Sequence, residues 1–394
     1  MEAIRPKAPP PPIALAEFEQ RCEHARALMA QAQLDAMLIC TELNVRYFTG
    51  FSTQFWTSPT RPWFFVLPRW GRPFAVIPEI GQENFLQTSW VEDLLTWPSP
   101  RPDDEGVSLV VDALKAIPRT FGRVGMEFGT ETHLRIPVND FRRIASALPQ
   151  VTFADAVPLI RRLRNLKSPA EVARIRYVGQ LVCDVFDGMP AWAKAGMTER
   201  EVVRRFQAEA ILRGADRAPY MIARSGNPGP ENIIMGPTDK VIAPGDVFIL
   251  DTGCQYDGYF CDFDRNVAFG KPTDSAKRAY VTIWQATEEA IKAVRPGSKV
   301  SDVWRAMNKV VEAAGATNAG VGRMGHGLGL ALTEWPSLMA GDDQVIEPNM
   351  VLTIEPGMEF APNALMVHEE NLLVTPDGPE LLTRRAPPEL PVIK

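Results

Sequence analysis

The sequence predicts an α/β (α+β) protein of two domains, and three features carry that prediction. Helix and strand patterns alternate through the first half, to about Arg161. A helix-start signal then opens a new segment at Ser168. Beyond Val247 the pattern turns strand-rich, with two long helical stretches inserted. A length of 394 residues leaves room for roughly two to three domains.

Each element has a local reason. Residues 9–12 are consecutive prolines, so residues 1–12 read as a stiff extended lead-in with no core role. Phe18, Cys22, Ala25, Leu28 and Met29 recur at helical spacing and predict a helix over residues 18–32. Residues 35–40 form a short buried strand. The segment from Asn44 to Gly50 and a Trp/Ser/Pro-rich loop follow. Residues 63–67 and 73–77 are strands separated by a turn. Phe55, Trp56, Trp63 and Phe64 read as core or interface aromatics, placed to reach a second subunit in a dimer. The first domain spans residues 13–165 and the second 166–394. At their boundary Ser168 caps a helix, Pro169 fits its first turn and Glu171 completes a capping box. Thr198 and Glu201 repeat that device for a helix that stops at Gly214. Residues 247–250 and 259–269 are strands, and residues 275–294 and 302–314 are helices.

Composition excludes several classes. Hydrophobic residues at 45% and charged residues at 23% are ordinary for globular chains, which excludes a disordered or fibrous protein. Lys+Arg 42 against Asp+Glu 48 leaves −6, so no basic surplus drives binding to nucleic acid or an anionic membrane. No apolar run approaches the ~18 residues of a membrane span, and residues 1–12 lack the apolar core of a secretory signal. Five cysteines without a CxxC pair point to reduced thiols and a cytoplasmic protein. Only four histidines are present, which limits the groups able to move protons.

The informative segment runs from Leu250 to Arg265. Asp251 ends an apolar strand, and Asp262 lies eleven residues on in a second strand across a Gly-containing turn. Asp is depleted in strands and rarely buried unpaired, so the two need a cation, either a metal or Arg265. Three further segments add to the set. His326 sits in a glycine-rich run, Glu355 closes an apolar strand before Pro356-Gly357, and Glu369 with Glu370 opens another strand. Carboxylates with one imidazole suit Mn, Fe, Co or Zn as divalent ions in five- or six-coordinate sites. Four carboxylates would balance two divalent cations, whereas without metal they repel and bind protons.

The ordered series Asp251, Asp262, His326, Glu355, Glu369 resembles the creatinase/prolidase/methionine aminopeptidase family. The segments 34–39, 44–51 and 164–171 look like that family's N-terminal domain and the lead into its catalytic domain. The likeness spans nearly the whole chain. It implies a creatinase-like α/β domain, then a pita-bread catalytic domain with a curved, mainly antiparallel sheet. It further implies that Asp262 and Glu369 bridge two metal ions, that Asp251 binds one, and that His326 and Glu355 bind the other. Glu355, with His326, would be catalytic, and a metal-bridging hydroxide would attack the substrate.

The chain departs from that family's peptidases around the ligands. Where they carry two further histidines, Ile234 and Met235 stand at one place and Thr333 at the other. The family's arginine ahead of the last acidic ligand is missing, since Val367 and His368 precede Glu369. Thr333 can hydrogen-bond but does not carry a proton near neutral pH. His368 is a substitute shuttle, although strand alternation aims it opposite to Glu369. Thr333, Ile234 and Arg224 are the candidate substrate contacts, Arg224 as a clamp for a carboxylate. Asp264 and Arg265 are expected to pair and orient Asp262, and Cys254 and Cys261 read as core thiols.

The leading expectation is a dinuclear metal-dependent hydrolase, most plausibly a homodimer. It would cleave a C–N bond in an Xaa-Pro-type dipeptide or a small amide. The alternative is a repurposed relative acting on a non-peptide small molecule, such as an ectoine-type hydrolase or a dimethylsulfoniopropionate lyase. A non-catalytic binding module is disfavoured, because a pure binder has no need of four mutually repelling acids.

Overall fold

The computed structural model describes residues 7–316 and 322–394, so the lead-in expectation for residues 1–6 lies outside the described residues. Contacts divide the chain into Pro12–Arg164 and a second unit, Asn165–Lys394 with residues 7–11.

In the first unit the helices are α1 (Leu15–Gln31), α2 (Glu42–Thr49), α3 (Gln82–Thr88), α4 (Val107–Ala116), α5 (Val138–Ala147) and α6 (Val157–Asn165). The strands are β1 (Ala36–Ile39), β2 (Phe64–Pro68), β3 (Phe74–Pro78), β4 (Asp93–Trp97), β5 (Arg123–Met126) and β6 (Thr152–Asp155). They form one mixed sheet in the order β4-β3-β2-β1-β5-β6, with β1 antiparallel to β2 and parallel to β5. The wholly apolar β1 is buried along its length, as a central strand covered on both faces must be. Gly50 ends α2 at φ +78°, and a Cβ there would come within 3.2 Å of the Thr88 carbonyl. Trp56, Trp63 and Phe64 are buried in this unit, and only Phe55 of the four aromatics is exposed.

The second unit holds α7 (Pro169–Gly188), α8 (Glu199–Arg213), α9 (Asp274–Ala293) and α10 (Val300–Ala313). Both expected capping boxes are present, Ser168 with Glu171 and Thr198 with Glu201. Residues 7–11 lie along α7. Pro11 O accepts from Arg174 at 2.9 Å, and Lys7 pairs with Asp184 at 2.7 Å.

The unit's strands are β7 (Arg217–Gly226), β8 (Val247–Tyr256), β9 (Tyr259–Phe260), β10 (Phe263–Phe269), β11 (Gly325–Gly327), β12 (Glu334–Ser337), β13 (Val351–Ile354), β14 (Gly357–Ala361), β15 (Ala364–Val367), β16 (Glu370–Thr375), β17 (Gly378–Leu381) and β18 (Val392–Ile393). One sheet runs β18-β10-β8-β7 with β9 beside β8, and a second runs β12-β11-β13-β16-β17. All their pairings are antiparallel except β10 with β18. Apolar faces of α7 and α8 form one core with β7, β8 and β10, and α9 and α10 form another with β13, β14, β15 and β16.

Two strand expectations are corrected. Asp251 does not end its strand: β8 continues to Tyr256, because Leu250 and Thr252 stay paired to β7 and β10 on either side. The strand expected over residues 259–269 is broken between β9 and β10, at Cys261 and Asp262. There the Asp262 N–H leaves the ladder and donates to Asn371 Oδ1 at 2.9 Å.

Candidate metal centre

Asp251, Asp262, His326, Glu355 and Glu369 line one cavity of about 160 Å³. The two sheets deliver them. Asp251 stands mid-strand in β8, opposite Asp264 of β10. His326 is the centre of β11. Glu355 follows β13 and Glu369 precedes β16, and these strands end together because Ile354 pairs with Glu370. Asn371 joins the sheets: its side-chain amide also holds Asp262 O and Thr353 Oγ1.

One oxygen from each of Asp251, Asp262 and Glu369 lies within 4.8 Å of the other two. On the other side, His326 Nε2 lies 3.3 Å from Asp262 and 3.9 Å from Glu355. Asp262 therefore faces both groups. The glycines of this run are required by close backbone approach. A Cβ on Gly325 would fall 2.3 Å from Thr353 O, and one on Gly327 would fall 2.0 Å from Trp335 O.

Burial and mutual repulsion set the electrostatics of these acids. Burial and the Asp262 charge push the Asp251 carboxyl well above the usual range. Burial and Asp251 do the same to Glu369. Asp262 rises to about 6, because burial outweighs the nearby His326. Burial alone would lower His326, yet its contacts with Asp262 and Glu355 raise it. Asp251 Oδ1, Asp262 Oδ1 and Glu369 Oε2 are buried with no hydrogen-bond partner among the described residues. Each such atom costs about 1–3 kcal/mol. His326 Nδ1 lies 2.8 Å from the Gly327 carbonyl. With Nδ1 donating there, Nε2 is the ring nitrogen turned towards the carboxylates. Oxygens without donors beside an imidazole nitrogen fit divalent cations held by hard ligands.

Arg265 does not neutralise these acids. Its guanidinium pairs with Glu370 Oε2 at 3.1 Å and donates to the Glu369 carbonyl at 3.0 Å. Asp264 likewise does not form a side-chain ion pair with Arg265 or act on Asp262. Its Oδ1 accepts the Glu369 N–H at 2.5 Å and its Oδ2 accepts from Asn266 at 2.8 Å. Both residues therefore fix the backbone of Glu369. The expected pairing fails because Glu370, wholly buried on the next strand, claims the guanidinium. Asp264→Asn turns an N–H₂ donor toward the Glu369 N–H or the Asn266 amide. Metal affinity is expected to fall roughly 10- to 100-fold. A competition titration against a chromogenic chelator reads this, and unchanged affinity would contradict the role.

Two other expectations change. Arg224 is no carboxylate clamp: its Nη1 pairs with fully buried Glu199 at 3.1 Å and donates to Thr238, away from the cavity lining. His368 does not face the cavity. It is buried against Arg385, and burial lowers it to about 4, with Glu370 opposing, so it stays neutral and moves no proton near pH 7. Cys254 and Cys261 are free, buried thiols on the ligand hairpin.

Thr333 and the exposed Ile234 line the cavity. Sequence reasoning missed Arg323, Tyr220 and Asn371. Tyr220 lines the cavity beside Asp251, and burial with the Asp251 charge drives its phenol up. Asn371 carried one readable signal, an amide within an apolar strand pattern. Arg323 carried none.

A family model described as metallopeptidase family M24 matches residues 173–376, and one described as creatinase/prolidase N-terminal domain matches residues 21–166. An uncharacterized peptidase of Staphylococcus aureus is 26% identical over 361 residues, covering 89% of this chain and 95% of its own length. Dipeptidase PepE of Mycobacterium ulcerans superposes with a TM-score of 0.84 at 27% identity, covering 97% of this chain and 100% of that one. A prolidase of Thermococcus sibiricus shares the fold, with a TM-score of 0.85 at 24% identity over 95% of this chain and 99% of its own.

Proposed function

The chain belongs to metallopeptidase family M24, and on that premise we propose that it hydrolyses a C–N bond in an Xaa-Pro-type dipeptide or small amide. Asp251, Asp262, His326, Glu355 and Glu369 would hold two divalent metal ions. The support for this reading is the set of three buried carboxylate oxygens without partners, converging beside His326 Nε2. The solved relatives named dipeptidase and prolidase point to dipeptide-sized substrates.

Bound divalent ions supply Lewis-acid polarisation of the scissile carbonyl and a source of nucleophilic water at neutral pH. The protein's own groups do the rest. Glu355, with its side chain 17% exposed, is the one residue of the five that is not buried. One of its carboxylate oxygens takes a proton from the attacking water and returns it to the leaving nitrogen. Water thus divides as OH on the carbonyl carbon and H on the amine. His326 stays fixed through Nδ1 and the Gly327 carbonyl. Ile234, Ile249 and Leu332 give the cavity an apolar wall that excludes bulk water and orients the substrate body.

Protein purified without chelator is expected to carry two transition-metal ions per chain. It should also cleave dipeptides with proline in second place. An ectoine-type amide and dimethylsulfoniopropionate belong in the same panel. No metal, or turnover of dimethylsulfoniopropionate alone, overturns the reading.

A further inference from the structure

Cys254 and Cys261 stand directly opposite each other in the hairpin that carries Asp251 and Asp262. The register fixes this, since Gln255 pairs with Phe260 on one side and Thr252 with Phe263 on the other. The Cys261 N–H donates to the Cys254 carbonyl at 3.0 Å. The two-residue turn Asp257-Gly258, with φ values of 48° and 81°, holds that register. We propose that this thiol pair is an oxidation site: hydrogen peroxide closes it to a disulfide, and the closed form weakens metal binding through Asp262. The effect on metal rests on the metallohydrolase reading above, whereas the disulfide does not.

Opposed residues of an antiparallel pair have Cα atoms about 4.5–5.5 Å apart, inside the roughly 4.4–6.8 Å range of disulfides. The two side chains leave the hairpin on one face and interact as a pair. Both lie in the core formed with α7 and α8, and strand alternation places them opposite to Asp251 and Asp262. The other cysteines face different groups. Cys22 Sγ points at the Phe48 carbonyl, Cys40 Sγ at the Glu127 carboxylate, and Cys183 Sγ accepts the Arg384 N–H. Cys254 and Cys261 are themselves buried, but the hairpin beyond them is only half-buried at residues 255–258 and 260, and β9 is two residues long. Such an end opens at low cost, and peroxide is little larger than water.

The chemistry balances in two steps. One sulfur attacks a peroxide oxygen, which gives a sulfenic acid and one water; the second sulfur then attacks the first and expels another water. Two S–H bonds and the O–O bond break, one S–S bond forms, and two electrons pass from sulfur to peroxide. Closure has a mechanical consequence. Opposed Cβ atoms of a ladder lie about 4.5–5.5 Å apart, and a disulfide draws them to about 3.8 Å. The hairpin therefore contracts at 254 and 261. Asp262 is the next residue, and its N–H is anchored to Asn371 Oδ1 of the other sheet at 2.9 Å. Contraction pulls Asp262 against that anchor and away from its place beside Asp251 and Glu369.

The test treats the metal-loaded full chain with hydrogen peroxide. Digestion without reductant should yield a crosslinked peptide joining Cys254 to Cys261, and free thiols titrated in denaturant should fall from five to three. Competition with a chromogenic chelator should show metal held roughly tenfold more weakly. Dithiothreitol should restore both readings. Cys254→Ala and Cys261→Ala should bind metal as untreated wild type does and keep that affinity through peroxide. Sulfinic acids without a crosslink, a bridge to another cysteine, or unchanged affinity in the crosslinked chain would overturn the proposal. So would an equal peroxide loss in both variants, which would place the damage elsewhere. Should a variant fail to fold, the reversal by dithiothreitol in wild type carries the comparison. If the reduced chain binds no metal, the metallohydrolase reading falls by itself. The coupling to Asp262 is then read by hydrogen exchange over residues 259–264: faster exchange in the crosslinked chain supports it, and equal exchange overturns it.

Discussion

Asp262→Asn is expected to abolish hydrolysis, by at least about a thousand-fold, while leaving the fold intact. Asp262 is the carboxylate common to both sides of the cavity, grouped with Asp251 and Glu369 and 3.3 Å from His326 Nε2. On the two-metal reading, removing its charge would leave three carboxylates for two divalent ions and take away a ligand. Its backbone stays anchored, because Asn371 holds both the N–H and the carbonyl of residue 262. A second consequence separates this from misfolding. The Asp262 charge helps to push Asp251 up, so its loss relieves repulsion in the metal-free protein. With chelator present, the variant should melt at or above wild type. Without chelator, it should lack the metal-dependent rise in melting temperature that wild type gains. Full metal occupancy by elemental analysis, or a metal-free melt far below wild type, would sink the argument.

Stripped of metal, the wild-type protein should lose stability as pH rises from about 6.5 to 8, and added metal should reverse the loss. Asp251 and Glu369 are held well above the ordinary carboxylate range, and burial pushes Asp264 to about 8. Groups raised in the folded state stabilise it fully below their unfolded values, and that stability is lost as pH climbs through the folded ones. His368 has the opposite sign. Lowered to about 4, it adds stability as pH rises to its unfolded value near 6.5, and its effect is complete there. Above that point the raised carboxyls act, and the raised His326 adds to them with the same sign. Asp264 alone contributes about 2 kcal/mol between pH 6.5 and 8, or several degrees in melting temperature. Thermal melts in chelator across this range provide the measurement. A flat or rising profile would show that these carboxyls do not hold protons.

Much of the scaffold was readable because its causes are local. The two capping boxes need only three residues each, and the helices they start are those of the structure. The short strands around residues 36–39 and 74–78 follow from apolar runs bounded by turns. The acids and His326 were noticeable because each breaks the pattern around it, as a charge closing an apolar strand or an imidazole among glycines. Misreadings arose where a long-range partner decides. The Asp264–Arg265 pairing looked natural as neighbours in sequence, but successive residues of a strand face opposite sides, and Glu370 of another strand takes the guanidinium. Arg224 looked available because Glu199, 25 residues earlier, gives no sign in the sequence that its buried carboxylate needs a cation.

The sequence by itself determined the element types, the two-domain plan and the chemistry of the donor set, since propensity, capping and hard-ligand character belong to residues. The tertiary structure decided which acids gather beside His326 and which are neutralised by arginine. It also decided that His368 is closed away from the cavity and that Arg323 is left facing it. Charges choose partners by distance, and distances between Asp251, His326 and Glu369 are set by how two sheets are joined through Asn371, not by their separation along the chain.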